Sequence, residues 1–116
     1  MNSSVKTEMS LLVVILFDGS YLEDIILGLT SISGGRVTMV DALSGSENLS
    51  QAIPLFAEFT GMGGRQFCKI LFTCAPEPNT AERLLEILQE GGIDFTGSAL
   101  GEIYEIPLGQ AVIIEE

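Results

Sequence analysis

An α+β fold, with an antiparallel sheet and two helices on one face, is predicted by three features of this 116-residue chain. Apolar runs too short for helices recur between turn residues, at Leu11–Phe17 and Phe67–Cys74, and read as buried strands. Two other segments carry apolar residues at helical spacing, each opened by a capping residue and closed by paired glycines. The order strand, helix, strand occurs twice, which is the arrangement that places both helices over one sheet face.

Residues 1–8 are polar and unpatterned, so a disordered start is expected, with 9–116 as a single domain. Leu11–Phe17 is rich in β-branched residues and stops at Asp18-Gly19. Ser20 and Glu23 then read as a capping box, and Leu22, Ile25, Ile26 and Leu29 form an apolar stripe that ends at Gly34-Gly35. Arg36–Leu43 is the second strand. Ser44–Gln66 is a long Ser- and Gly-rich connection holding an apolar island, Ile53–Phe59, which reads as either a short strand or a helical turn.

Phe67–Cys74 is the third strand. Asn79 with Glu82 opens a second helix, whose stripe is Ala81, Leu84, Leu85 and Leu88 and whose end is Gly91-Gly92. Glu102–Ile106 is the fourth strand, closed by Pro107, and Gln110–Ile114 is expected to pair at an edge. The result is βαββαβ, the ferredoxin-like order. Strands one and three are apolar on both faces, yet two helices cover only one. The other face predicts self-association or a permanent partner.

Five Lys plus Arg against sixteen Asp plus Glu give a net charge of −11, which opposes binding to nucleic acid or to an anionic membrane surface. No apolar run reaches the roughly 18 residues of a membrane span, and the start lacks the order of a signal peptide. A cytoplasmic protein with no direct membrane insertion is expected. Cys68 and Cys74 share a strand face at a separation of roughly 20 Å, too far for a disulfide, and read as small buried apolar residues.

The chain has no His, no Ser or Cys with a base near it in sequence, and no Cys-x-x-Cys. No catalytic residue, metal site or cofactor is therefore assigned, and the protein is not expected to be an enzyme. Arg65, in a Gly-rich stretch, reads as an anion contact or a solvated turn residue, whereas Arg36 and Lys69 are expected to pair with local acids. Glu102, Glu105, Glu115 and Glu116 read as a hard-cation site or a solvated acidic edge. Within the long connection, Ile53, Leu55, Phe56 and Phe59 are either core filler or a docking segment for a protein partner.

Thr96-Gly97, Gly101, Ile103-Tyr104 and Gln110-Ala111-Val112 resemble the C-terminal signature of the PII signalling family. Phe17-Asp18-Gly19 followed by YLEDIILGL, and then GGRVTMVDALSG, extends that likeness over nearly the whole chain. The resemblance implies a homotrimer whose sheets line the inside, ligand clefts between subunits, and a signalling role in nitrogen regulation. It also implies that the loop at 44–66 touches a protein partner. That loop holds no tyrosine, which excludes control by tyrosine modification there.

Thr38, Gly97 and Gly101 match the family's ligand contacts by type, but Glu102 stands where the loop lysine would be. Ile113 and Glu115 stand where two arginines would be. Like charge would then repel a triphosphate. The expectation is a trimeric regulatory protein that does not use ATP in the family's usual way. It would bind an unidentified small effector near Thr38, Arg65, Gly97, Gly101 and Glu102, a protein partner, or both. The alternatives are a ferredoxin-like amino-acid sensor, which would pair as a dimer, a metal-binding trimer of similar architecture that uses the acids near Glu102 and Glu115, and a non-catalytic assembly subunit.

Overall fold

The computed structural model describes residues 2–45 and 65–115. Its strands are β1 (Asn2–Lys6), β2 (Ser10–Leu16), β3 (Thr38–Gly45), β4 (Arg65–Ala75), β5 (Gly101–Pro107) and β6 (Ala111–Glu115), and its helices are α1 (Leu22–Ser33) and α2 (Thr80–Glu90). Four strands make an antiparallel sheet in the order β3-β4-β2-β5, with β2 central between β4 and β5. Both helices pack on one face of it, as the ferredoxin-like order requires.

Alternation along β2 sets the two faces. Leu12, Val14 and Leu16 are fully buried and point at the helices, where Ile25 and Leu29 of α1, Leu84 and Leu88 of α2, and Leu71 of β4 complete the core. α1 and α2 approach closely because Gly28 has no side chain: a Cβ there would lie 2.7 Å from Leu84 Cδ1. Gly34 ends α1 in the left-handed region at φ 74°, and its N–H donates to the Thr30 carbonyl at 2.7 Å.

Several elements differ from the sequence expectation. Asn2–Lys6 is a strand rather than a disordered start, because it pairs antiparallel with β6 from Asn2↔Glu115 to Lys6↔Ala111. β6 therefore belongs to a separate two-stranded ribbon rather than to an edge of the main sheet. The expected connection at 44–66 is shorter at both ends, since β3 runs to Gly45 and β4 starts at Arg65, paired with it. Ile53, Leu55, Phe56 and Phe59 lie outside the described residues.

The helix caps also differ. Asp18, not Ser20, opens the first helical segment: its carboxylate accepts from the Ser20 amide at 3.1 Å and the Ser20 hydroxyl at 2.7 Å, at the head of a short 3-10 turn, Gly19–Tyr21. These bonds, that from the Ser20 hydroxyl foremost, hold the Asp18 carboxyl below its usual range. Asn79 sits at φ 62° and its side chain caps nothing. Glu105 of β5 caps α2 instead, accepting from the Ala81 amide at 2.8 Å, the Asn79 amide at 3.0 Å and the Thr80 hydroxyl at 3.2 Å.

The bond from the Ala81 amide is the foremost cause holding the Glu105 carboxyl below its ordinary 4.5. A folded-state value below the unfolded one means that the cap stabilises fully above the unfolded value and loses its contribution as pH falls through the folded one. Glu105→Gln is expected to cost about 1 kcal/mol at neutral pH, in the range of lost helix caps. Urea titrations at pH 7 and pH 3 check this: the gap between parent and variant is expected to narrow at the lower pH.

Candidate functional site

The glycines expected to face a ligand lie at the end of the sheet where β2 leaves it. Residues 93–100 form a tight turn closed by Ser98 N–H to Asp94 O at 3.1 Å and Leu100 N–H to Phe95 O at 3.3 Å, and anchored by buried Phe95 and Leu100. The Phe17 amide donates to Leu100 O at 2.9 Å and ties this turn to the end of β2. Gly97 and Gly101 thus sit beside Phe17-Asp18-Gly19, two motifs distant in sequence that the fold brings together.

Gly101 has a packing reason to be glycine, whereas what crowds Gly97 is the movable end of the Asp94 side chain. A Cβ on Gly101 would lie 2.0 Å from the Ile15 carbonyl oxygen, inside the β2–β5 ladder, and one on Gly97 would lie 2.0 Å from Asp94 Oδ2. The Gly97 amide is already engaged, donating to Asp94 Oδ1 at 3.0 Å. A carboxylate of the chain occupies the donor that a phosphate would need.

The cations near this end are few. Arg65 lies at the start of β4 opposite Gly45, and Lys69 pairs with Asp41 across β3 and β4. Lys69 and Asp41 line a cavity of about 570 Å³ with Leu16, Phe17 and Phe67. Buried Cys68 also borders it, whereas Cys74 is half-buried; both cysteines are free.

Glu102 is exposed and accepts a 2.7 Å bond from the Tyr104 hydroxyl. That bond, with the charge of Glu102, pushes the Tyr104 phenol above its ordinary value. Glu102 and Glu105 project from opposite faces of β5, so the acidic cluster expected from sequence is split; Glu116 lies outside the described residues. Among the described residues no three His, Cys, Asp or Glu side chains gather as metal ligands.

Thr38 is not part of this end. It pairs with Phe72 near the start of β3, on the edge of the sheet opposite β5, so Gly101 is three strand spacings away, roughly 14 Å across the sheet. Within one chain Thr38 and the glycine turn do not form one site. They lie at opposite sheet edges.

The sheet face away from the helices carries Leu11, Val13 and Ile15 of β2 with Ile70 and Phe72 of β4, all half-buried. Val40, Tyr104 and Ile106 extend it to both edges at 47%, 46% and 45% exposure. The described residues leave this apolar face open, as the sequence predicts. Among them no helix is long and apolar enough to cross a membrane.

No protein-family model matches the sequence, and no curated protein matches it. Among solved structures, the chain is similar to CPII bound to ADP, AMP and acetate, from Thiomonas intermedia K12, at a TM-score of 0.51 and 16% identity over 99% of this chain and 94% of that one. The likeness is one of fold: this chain has the PII-like form of the ferredoxin-like α+β architecture.

Proposed function

We propose that this chain is a PII-type regulatory protein that acts as a homotrimer. It binds a small effector in the clefts between subunits and contacts a protein partner through the segment at 44–66. The open apolar face supports this reading most directly, because among the described residues an apolar surface runs across all four strands, the kind of patch that marks an interaction site. In a rotationally symmetric trimer such faces cover one another, and the β3 edge of one copy meets the β5 edge of the next. Thr38 of one subunit then joins Gly97, Gly101 and Glu102 of another.

The effector is not ATP held in the family's manner. The Gly97 amide is taken by Asp94, and Glu102 and Ile113 stand where cations would meet phosphate. The chain is a signalling protein in this reading, with no catalytic residues and no cofactor of its own.

Light scattering across protein concentrations tests the assembly, and calorimetry with magnesium and ATP or ADP tests the cleft. The expected results are three protomers of 12.4 kDa and no tight nucleotide binding. Val13→Glu, which places a charge at the centre of the open face, is expected to yield a folded monomer. A parent monomer would overturn the proposal, and a dimer would favour an amino-acid sensor of the same strand order.

A further inference from the structure

Lys69 and Asp41 stand opposite each other on β4 and β3 and join in an ion pair. Lys69 also sits opposite Leu16, whose side chain points at the helices, so the pair projects from the helix-bearing face of the sheet. Covering the open apolar face in a trimer therefore leaves the pair accessible. A cavity of about 570 Å³ adjoins it, within the range that takes small organic ligands.

Among the described residues that line this cavity, Lys69 and Asp41 are the only charged ones, and Phe17 and Phe67 supply apolar wall. Phe67 shares the strand face of Lys69, yet 66% of its surface is exposed. A cross-strand ion pair needs neither a cavity nor an exposed aromatic ring beside it. Both charged groups reach solvent, the Asp41 carboxylate more than the Lys69 ammonium, so each exchanges its partner at little cost.

We infer that this cavity binds an α-amino acid with an apolar side chain. Its carboxylate goes to Lys69, its ammonium to Asp41, and its side chain lies against Phe67 and Phe17. The ligand opens the protein's own ion pair and replaces it with two. A ligand of one sign is attracted by one partner and repelled by the other, which disfavours phosphates, dicarboxylates and simple amines. The inference names the effector class of the proposed function and rests on that reading. Asp41, Lys69, Leu16 and Gly101 form one row across the sheet, so the cavity lies at the end that carries the glycine turn, and Asp41 stands on the β3 edge that meets the next copy in the trimer.

Calorimetry on the full chain with L-leucine tests the inference, with 4-methylpentanoate and 3-methylbutan-1-amine as separate arms and light scattering on the same samples. The expected result is saturable leucine binding, with each single-charge analogue at least about tenfold weaker. Lys69→Gln and Asp41→Asn are each expected to weaken leucine about tenfold with little change in melting temperature. Phe67→Ala is expected to weaken leucine but not glycine. No saturable leucine binding would overturn the site, as would equal binding by the parent and both charge variants. An analogue that binds as tightly as leucine would overturn the ligand class. These failures leave the trimer standing, whereas a monomer that binds leucine through Lys69 and Asp41 would keep the site and overturn the trimer.

Discussion

Gly101→Val is expected to cost about 3 kcal/mol or more and to unfold much of the population. The Cβ position lies 2.0 Å from the Ile15 carbonyl oxygen and 3.0 Å from its carbon. These are backbone atoms of the central strand, so no rotamer change relieves the contact. β5 must move off β2, and the ladder from Ser10↔Pro107 to Leu16↔Gly101 opens at the end that holds the turn. Overpacking usually costs about 1–3 kcal/mol where side chains give way; backbone that cannot yield puts this substitution at the top of that range. Gly109→Ala, which meets nothing within 4 Å, serves as the control and is expected to be near neutral. Chemical denaturation of the two variants measures the difference.

Leu84→Ala is expected to cost about 2–5 kcal/mol, since Leu84 is fully buried where α1 and α2 meet. Gly28→Ala supplies the test of why. In the parent, its new methyl falls 2.7 Å from Leu84 Cδ1, so the helix-propensity gain of about 1 kcal/mol is opposed by the contact. In the Leu84→Ala background that opposing atom is gone, and the methyl partly fills the cavity. The double variant is expected to be more stable than Leu84→Ala alone by about 1 kcal/mol or more, a coupling that a double-mutant cycle reads directly. Additive effects would show that the two helices do not meet at Gly28.

Local pattern carried the elements whose causes are local. Leu12, Val14 and Leu16 are the buried alternation of β2, Ile25 and Leu29 the apolar stripe of α1, and Gly34 its stop. What pattern missed was made by pairings distant in sequence. Asn2–Lys6 has little apolar content of its own and is a strand only because β6 pairs with it. α2 is capped by Glu105, which follows the helix in sequence, so no motif at Asn79 announces it.

The site was legible in the same measure. The sequence pointed to Gly97 and Gly101 and to the motif at Phe17-Asp18-Gly19, which the structure brings to one end, but not to the reason for either glycine. The close approach of Gly101 to Ile15 O is invisible until the strands are in register. Thr38 proved to be on the opposite edge of the sheet from Gly101, which only the strand order reveals.

The position of β2 in the middle of the sheet has a consequence for how the chain is made. This strand precedes both of its neighbours, β4 and β5, which begin only at Arg65 and Gly101. Until β4 has been made, the most apolar strand has no partner at either edge; until β5 has been made, one edge stays open, and closing the sheet requires contacts across long stretches of chain. Between its own synthesis and that of Gly101–Pro107, Leu11–Phe17 is therefore an apolar segment with an open edge, the kind of transient species that favours aggregation.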